Sequence, residues 1–275
     1  MDPGRDRQFC HVGDTRNHEI DRSQAISSRR SSNVSPVRSL MKLYGFSNGP
    51  ASLACRQALK ALNIQYELIN LDYGKGEHLT DEYAQLNPQN EAPVLVDDDV
   101  IMGESVAILQ YLADKYDTVG NLYPKDIKSR ARVNHRLCFS LATYYHRISE
   151  YVIGPTYFNY KRSVWGLERM KMALESFNTY LERENTVYVA SNTLTIADFH
   201  LCTATMCLEA IRFKLNSWPH VKIWYNNFKK KNPELWDIAA QGMRELRQHQ
   251  DTPPDYSHMY HPFHPTIKTN NMIIL

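Results

Sequence analysis

The sequence predicts an α/β domain with the order βαβ then ββα, followed by an all-α helical bundle, and three observations carry that prediction. Residues 41–118 alternate short strand-like runs with helical periodicity, strand signals nearly vanish over 128–249, and a stretch at 119–127 with Gly120 and Pro124 separates the two regions. With 275 residues, 43% of them apolar and 23% charged, the chain is long enough to bury a sizeable core.

The first 40 residues hold seven Arg, five acidic residues and many Ser, and they bury too little apolar surface to offset the entropy of ordering. They read as a disordered tail. From Met41 the pattern changes: Lys42 to Phe46 reads as a strand, and Pro50 near a helix start leads into an apolar-periodic helix ending near Leu62. Tyr66 to Leu71 reads as a second strand, so the first two strands should be parallel with the helix crossing between them. A short helix is expected at Asp81 to Leu86, a strand after Pro93, a turn at Asp97-Asp98-Asp99, a strand at Val100 to Met102, and a helix from Ser105 to about Tyr116.

In the helical region, Thr195-Ile196-Ala197-Asp198 reads as a capping box, with the Thr195 side chain accepting from the Asp198 N–H and Asp198 reaching back. The helix that follows carries Phe199, Cys202, Met206, Cys207, Ala210 and Ile211, apolar on most of its circumference, as suits the centre of a bundle. Residues 250–275 contain Pro253, Pro254, Pro262 and Pro265 and read as an extended tail. His258, His261 and His264 recur there, but the prolines break any regular face and no thiol lies nearby, so no metal is expected.

Composition excludes several classes of function. A formal charge of +2 with dispersed Lys and Arg argues against a nucleic-acid surface. No stretch approaches the roughly 18 apolar residues of a membrane helix. Cys10, Cys55, Cys138, Cys202 and Cys207 form no CxxC pair and are odd in number, which suits buried free thiols in a reducing, cytoplasmic compartment.

Two segments together fit a small zwitterionic peptide. Pro93 cannot donate to a sheet ladder, so a cis bond at a strand start would turn the backbone N–H and C=O of Ala92 toward an extended ligand. Glu104-Ser105 opens a helix, whose free N–H groups and the Ser105 hydroxyl attract a carboxylate, while Glu104 offers an anion to an ammonium.

With these features in register, the chain resembles the cytosolic glutathione S-transferases from about Met41 to His249, and the insect delta and epsilon classes most. Lys60-Ala61-Leu62, Glu77-His78-Leu79, Asn87-Pro88-Gln89, Ala92-Pro93-Val94-Leu95, Glu104-Ser105 and Leu122-Tyr123-Pro124 stand in that family's order. The resemblance implies a thioredoxin-like first domain, a homodimer, and glutathione as co-substrate without a metal. Glutathione would lay its cysteine along Ala92 and Pro93, its γ-glutamyl group at Glu104 and Ser105, and its glycine toward His78. Asn90 stands where the family has His and can still donate. A small apolar electrophile would sit against Tyr144, Tyr145, Ile148, Tyr151 and Phe158, although ordinary core packing explains such aromatics equally well.

Family members lower the barrier by stabilising the glutathione thiolate, and the delta and epsilon classes use a serine at the start of the first helix. Here that position is Gly49. Ser47 and Ser52 are the candidate substitutes, with Tyr44 behind them and the local backbone N–H groups as a further option. Val106 replaces an Arg of the delta pattern. The segment Pro253 to Met259 and the run His261 to Pro265 also resemble the end of the transferase domain in insect FLYWCH zinc-finger proteins. That likeness supports an alternative, a non-catalytic dimerisation module of nuclear location.

Overall fold

The computed structural model describes Leu40 to Tyr256, His258 and Met259. The tail expected before Leu40, Cys10, His261, His264 and the prolines at 262 and 265 lie outside the described residues.

Strand β1 (Met41–Gly45) leads into helix α1 (Pro50–Ala61) and strand β2 (Tyr66–Asn70), and a single turn at Glu77–Leu79 precedes helix α2 (Asp81–Leu86). Strands β3 (Val94–Asp97) and β4 (Val100–Met102) and helix α3 (Ser105–Tyr116) complete the ββα half. The sheet order is β2-β1-β3-β4. β1 and β2 are parallel with Met41 opposite Tyr66, while β3 runs antiparallel to both β1 and β4, with Leu95 opposite Leu43 and Met102. This is the predicted thioredoxin-like arrangement. Alternation along β1 buries Met41, Leu43 and Gly45 against α1, and a Cβ at Gly45 would lie 2.9 Å from Ser52 Cβ, so only glycine permits that approach.

Among the described residues beyond 126 all regular structure is helical. Helix α4 (Ile127–Phe139) runs through a π-helical stretch at Ser140–Tyr145 into α5 (His146–Phe158), followed by α6 (Val164–Glu184), α7 (Ile196–Ala210), α8 (Pro219–Lys231) and α9 (Pro233–Asp251). Helix α7 is buried on nearly its whole circumference and packs against α1, α5 and α9.

Its start depends on Asp198. The carboxylate accepts from the Thr195 N–H at 3.0 Å and the Thr195 hydroxyl at 2.9 Å, and also from the Val189 N–H and Trp224 Nε1, each at 3.0 Å. Both halves of the predicted capping box are present, the Thr195 side chain accepting from the Asp198 N–H and Asp198 reaching back, and the Asp198 N–H also bonds the Thr195 carbonyl at 3.0 Å. Desolvation raises the Asp198 carboxyl to about 6.

The two halves share one apolar core. Gln57 Nε2 on α1 donates to the Leu235 carbonyl of α9 at 2.9 Å. Gly242 of α9 meets the loop between β1 and α1 so closely that a Cβ there would lie 2.4 Å from Leu53 Cδ1 and 3.1 Å from Asn48 Cα. Among the cysteines, Cys55, Cys202 and Cys207 are buried, whereas Cys138 on α4 is exposed, a correction to the expectation that all would be interior. Among the described residues no helix is long and apolar enough to cross a membrane, and no group of three or more His, Cys, Asp or Glu is placed to hold a metal.

Candidate active site

A cavity of about 740 Å³ opens between the start of α1 and helices α5 and α6. The α/β side contributes Phe46, Asn48, Gly49, Pro50, Ala51, Tyr73, Glu91 and Ala92. The helical side contributes Tyr145, Tyr151, Tyr157, Phe158, Tyr160, Arg162 and Trp165 among others.

Its floor is the N-terminus of a twelve-residue helix. Pro50 has no N–H, and the first helical bond is from the Leu53 N–H to the Gly49 carbonyl at 2.9 Å, so the N–H groups of Ala51 and Ser52 are the open donors of α1. No side chain caps this end. Above it, Tyr157 Oη donates to Asn48 Oδ1 at 2.5 Å. Burial holds the Tyr157 phenol well above its ordinary range, so it stays a donor. With its carbonyl oxygen so engaged, the Asn48 amide keeps its two N–H donors for other partners.

The wall at Ala92 is pinned from behind. Tyr83 Oη and Asn87 Nδ2 donate to the Glu91 carbonyl at 2.9 and 2.7 Å, and the Ala92–Pro93 bond is cis, as predicted. Gln89 Nε2 donates to Glu104 Oε1 at 3.0 Å, tying this loop to the start of α3. Glu104 and Asn90 adopt positive φ of 59° and 55°, a left-handed conformation that costs a non-glycine residue free energy and concentrates at functional sites.

In sequence, residues 39–114 match the glutathione S-transferase N-terminal domain, and residues 163–232 match the glutathione S-transferase C-terminal domain. Glutathione S-transferase D7 of Anopheles gambiae is 33% identical over 202 residues, covering 72% of this chain and 89% of that protein. The chain belongs to the glutathione S-transferase family. Among solved structures, a diazinon-metabolizing glutathione S-transferase of the silkworm Bombyx mori is 50% identical, with a TM-score of 0.72, covering 76% of this chain and all of that one. An epsilon-class glutathione S-transferase of the housefly Musca domestica is 28% identical, with a TM-score of 0.71, covering 77% of this chain and 97% of that one. The fold, the enzyme class and glutathione as co-substrate follow from this membership.

Of the residues predicted to form the transferase site, Ala92, Tyr145, Tyr151 and Phe158 line the cavity. Several others do not. The Ser47 hydroxyl turns to α9 and donates to Glu245 Oε2 at 2.5 Å. Ser52 is buried on the sheet side, where its Oγ accepts from the Phe46 N–H at 3.2 Å, so it shapes the loop. Neither hydroxyl points into the cavity, which corrects the expectation that one replaces the missing serine. His78 is buried at 1% exposure, stacked on Tyr73 at 4.8 Å and edge-on to Phe46, and it is Tyr73 that lines the cavity.

Tyr144 and Ile148 are fully buried core residues, Tyr144 sharing a hydrogen bond with Thr205 at 3.0 Å. Four positions apart, they share the face turned to the centre of the bundle, while Tyr145 and Ser149, one position on from each, face the cavity. Ser105 is buried with its Oγ 3.0 Å from His200 Nε2, and Ser140 Oγ lies 2.7 Å from the other ring nitrogen. Desolvation lowers His200 to about 4, so the ring is neutral, with one donor and one acceptor serving the two serines.

Sequence reasoning passed over Asn48, Tyr73, Tyr157 and Arg162. Asn48 adjoins Gly49 but carries an amide, not the hydroxyl of the family pattern. Tyr157 precedes Phe158 on α5, and its role depends on a contact with a residue 109 positions away.

Proposed function

We propose that this transferase activates glutathione without a hydroxyl side chain at the sulfur, using the open N–H groups of α1 and the Asn48 amide. The observation that supports this reading is the Tyr157–Asn48 hydrogen bond of 2.5 Å beside the uncapped helix start, with Ser47 and Ser52 both engaged elsewhere. Glutathione lies extended along Ala92, where it pairs with backbone groups as a short added strand. Its γ-glutamyl ammonium meets Glu104, and its carboxylate meets the N–H groups at the start of α3. Asn90 and Pro93 shape this wall, and Tyr73, braced by His78, closes the glycyl end.

Donors at the sulfur favour the thiolate over the thiol, which raises the fraction of reactive nucleophile at neutral pH. The thiolate attacks the electrophilic carbon, its new S–C bond replacing the bond to a leaving group that departs with its electron pair. The thiol proton goes to solvent. The second substrate occupies the helical half, against Tyr145, Tyr151 and Phe158. Diazinon, named for the 50% identical silkworm relative, is one compound to assay.

The enzyme works as a cytoplasmic homodimer in this reading. The likeness of the C-terminal segment to the transferase domain of FLYWCH proteins suits a shared origin of that segment. Retention on immobilised glutathione, followed by conjugation of a chlorodinitrobenzene, tests the assignment. Retention with thiol consumption is expected, and a chain that neither binds nor conjugates contradicts it.

A further inference from the structure

The helical wall of the cavity holds a guanidinium whose charge no acid among the described residues answers. Pro155 lies inside α5 and has no N–H, so the Tyr151 carbonyl four residues earlier loses its helical donor. Arg162 supplies the replacement: its Nε donates to the Tyr151 carbonyl at 2.9 Å. Its Nη2 donates to Thr156 Oγ1 at 3.0 Å and to Gln250 Oε1 at 2.5 Å, and its carbon lies 5.7 Å from the centre of the Tyr151 ring. All three acceptors are neutral. Nη1 takes part in none of these bonds.

The contrast with Arg169 on the same wall is direct. Arg169 Nη1 bonds Glu150 Oε2 at 3.0 Å, and Glu150 also faces His146 at 3.4 Å, so the acid of this rim is already matched. Arg162 is half-buried, and desolvation lowers its pKa against only weak support from Tyr151 and Tyr160. A guanidinium held rigidly by neutral groups in a partly dry wall is prepared for a planar anion, because little further ordering is needed when one arrives.

We propose that Arg162 is a specificity-determining residue that selects electrophiles carrying an anionic substituent, such as an aryl carboxylate or sulfonate, on an apolar ring held by Tyr151, Phe158 and Trp165. Trp165 is 72% exposed at the mouth, which leaves its face available to an incoming ring. This proposal rests on the reading that the helical half of the cavity takes the second substrate.

The test compares two electrophiles with the same ring and leaving group, a chlorodinitrobenzene and a chlorodinitrobenzoate, each rate divided by its uncatalysed rate. Failure to turn over the neutral compound would count against the reading of the site, while equal treatment of the two would overturn the role of Arg162. The decisive variant is Gln250→Glu, which keeps an acceptor for Nη2 and neutralises the cation. It is expected to lower kcat/KM for the benzoate about tenfold, through KM, and to leave the neutral compound within about twofold. A wild-type measurement needs no variant: a naphthalenesulfonate should compete with the electrophile at least about tenfold better than the matching neutral methyl sulfone. Unchanged benzoate kinetics in Gln250→Glu, or equal inhibition by the two naphthalenes, refutes the proposal.

Discussion

Tyr157 and Asn48 are joined by a 2.5 Å hydrogen bond that crosses from helix α5 to the loop ahead of α1. Two otherwise independent elements are thereby fixed at the point where the glutathione sulfur is proposed to react. Removing the hydroxyl frees the Asn48 amide to rotate. Tyr157→Phe is therefore expected to lower kcat about tenfold, since one hydrogen bond near a developing charge is worth about 1.5 kcal/mol. The KM for glutathione should change much less. Steady-state kinetics at saturating electrophile check this, and an unchanged kcat would contradict it.

Gly242→Ala should be costly for activity as well as stability. The added methyl meets Leu53 at 2.4 Å and the Asn48 Cα at 3.1 Å, and the second contact is backbone that cannot swing aside. Overpacking of this kind costs about 1–3 kcal/mol, and a shift of the Asn48 backbone on the order of 1 Å can cost about a hundredfold in rate. Thermal melts with parallel rate measurements should show a rate loss larger than the fraction unfolded explains.

The segment after α9 braces Tyr73, which is proposed to close the glycyl end of the site. Tyr256 stacks on Tyr157 at 5.8 Å and meets Tyr73 edge-on at 5.4 Å, while His258 Nε2 donates to the Gly74 carbonyl at 2.8 Å. Tyr256→Ala is expected to raise the Kd for glutathione about three- to tenfold, given aromatic pairs worth about 0.5–1.5 kcal/mol. Tyr256→Phe should keep the wild-type value. Isothermal titration with glutathione checks both, and equal affinity in the alanine variant would remove the segment from the site.

His200 sets a pH dependence of stability. Its folded value is about 4 against an ordinary 6.5, so between those pH values the unfolded chain binds the extra proton. The sign follows: this contribution is fully present above about pH 6.5 and is lost as pH falls toward 4, amounting to about 3 kcal/mol. Asp198, raised to about 6, acts in the opposite direction over nearly the same range. The measurement is therefore a difference. Relative to His200→Asn, the wild type should lose stability on acidification from pH 6.5 to pH 4 in urea melts, and parallel curves would contradict the shift.

Much of this was readable from residue order. The Pro93 strand, the Glu104-Ser105 helix start and the polar cap at Asp198 announce themselves because each depends on neighbours within a few positions. The destinations of individual side chains do not. Ser47 in the loop and Ser52 in the first turn of α1 flank Gly49 almost equally, yet one is drawn to Glu245 on α9 and the other into the sheet by the close approach at Gly45. His78 keeps its place in the family pattern but is buried against Tyr73. Tyr144 and Ile148 lie one position before Tyr145 and Ser149, and that single step separates the bundle core from the cavity wall. Arg162 answers a carbonyl orphaned by Pro155, a relation that spans two elements.

The pKa of the glutathione thiol in the binary complex, read from ultraviolet thiolate absorbance as pH is raised, tests the proposed activation most directly. The account predicts that Ser47→Ala leaves the depressed value in place and that Asn48→Ala raises it by about one to two pH units. A thiol that titrates normally in Ser47→Ala, with Asn48→Ala unchanged from wild type, would contradict it.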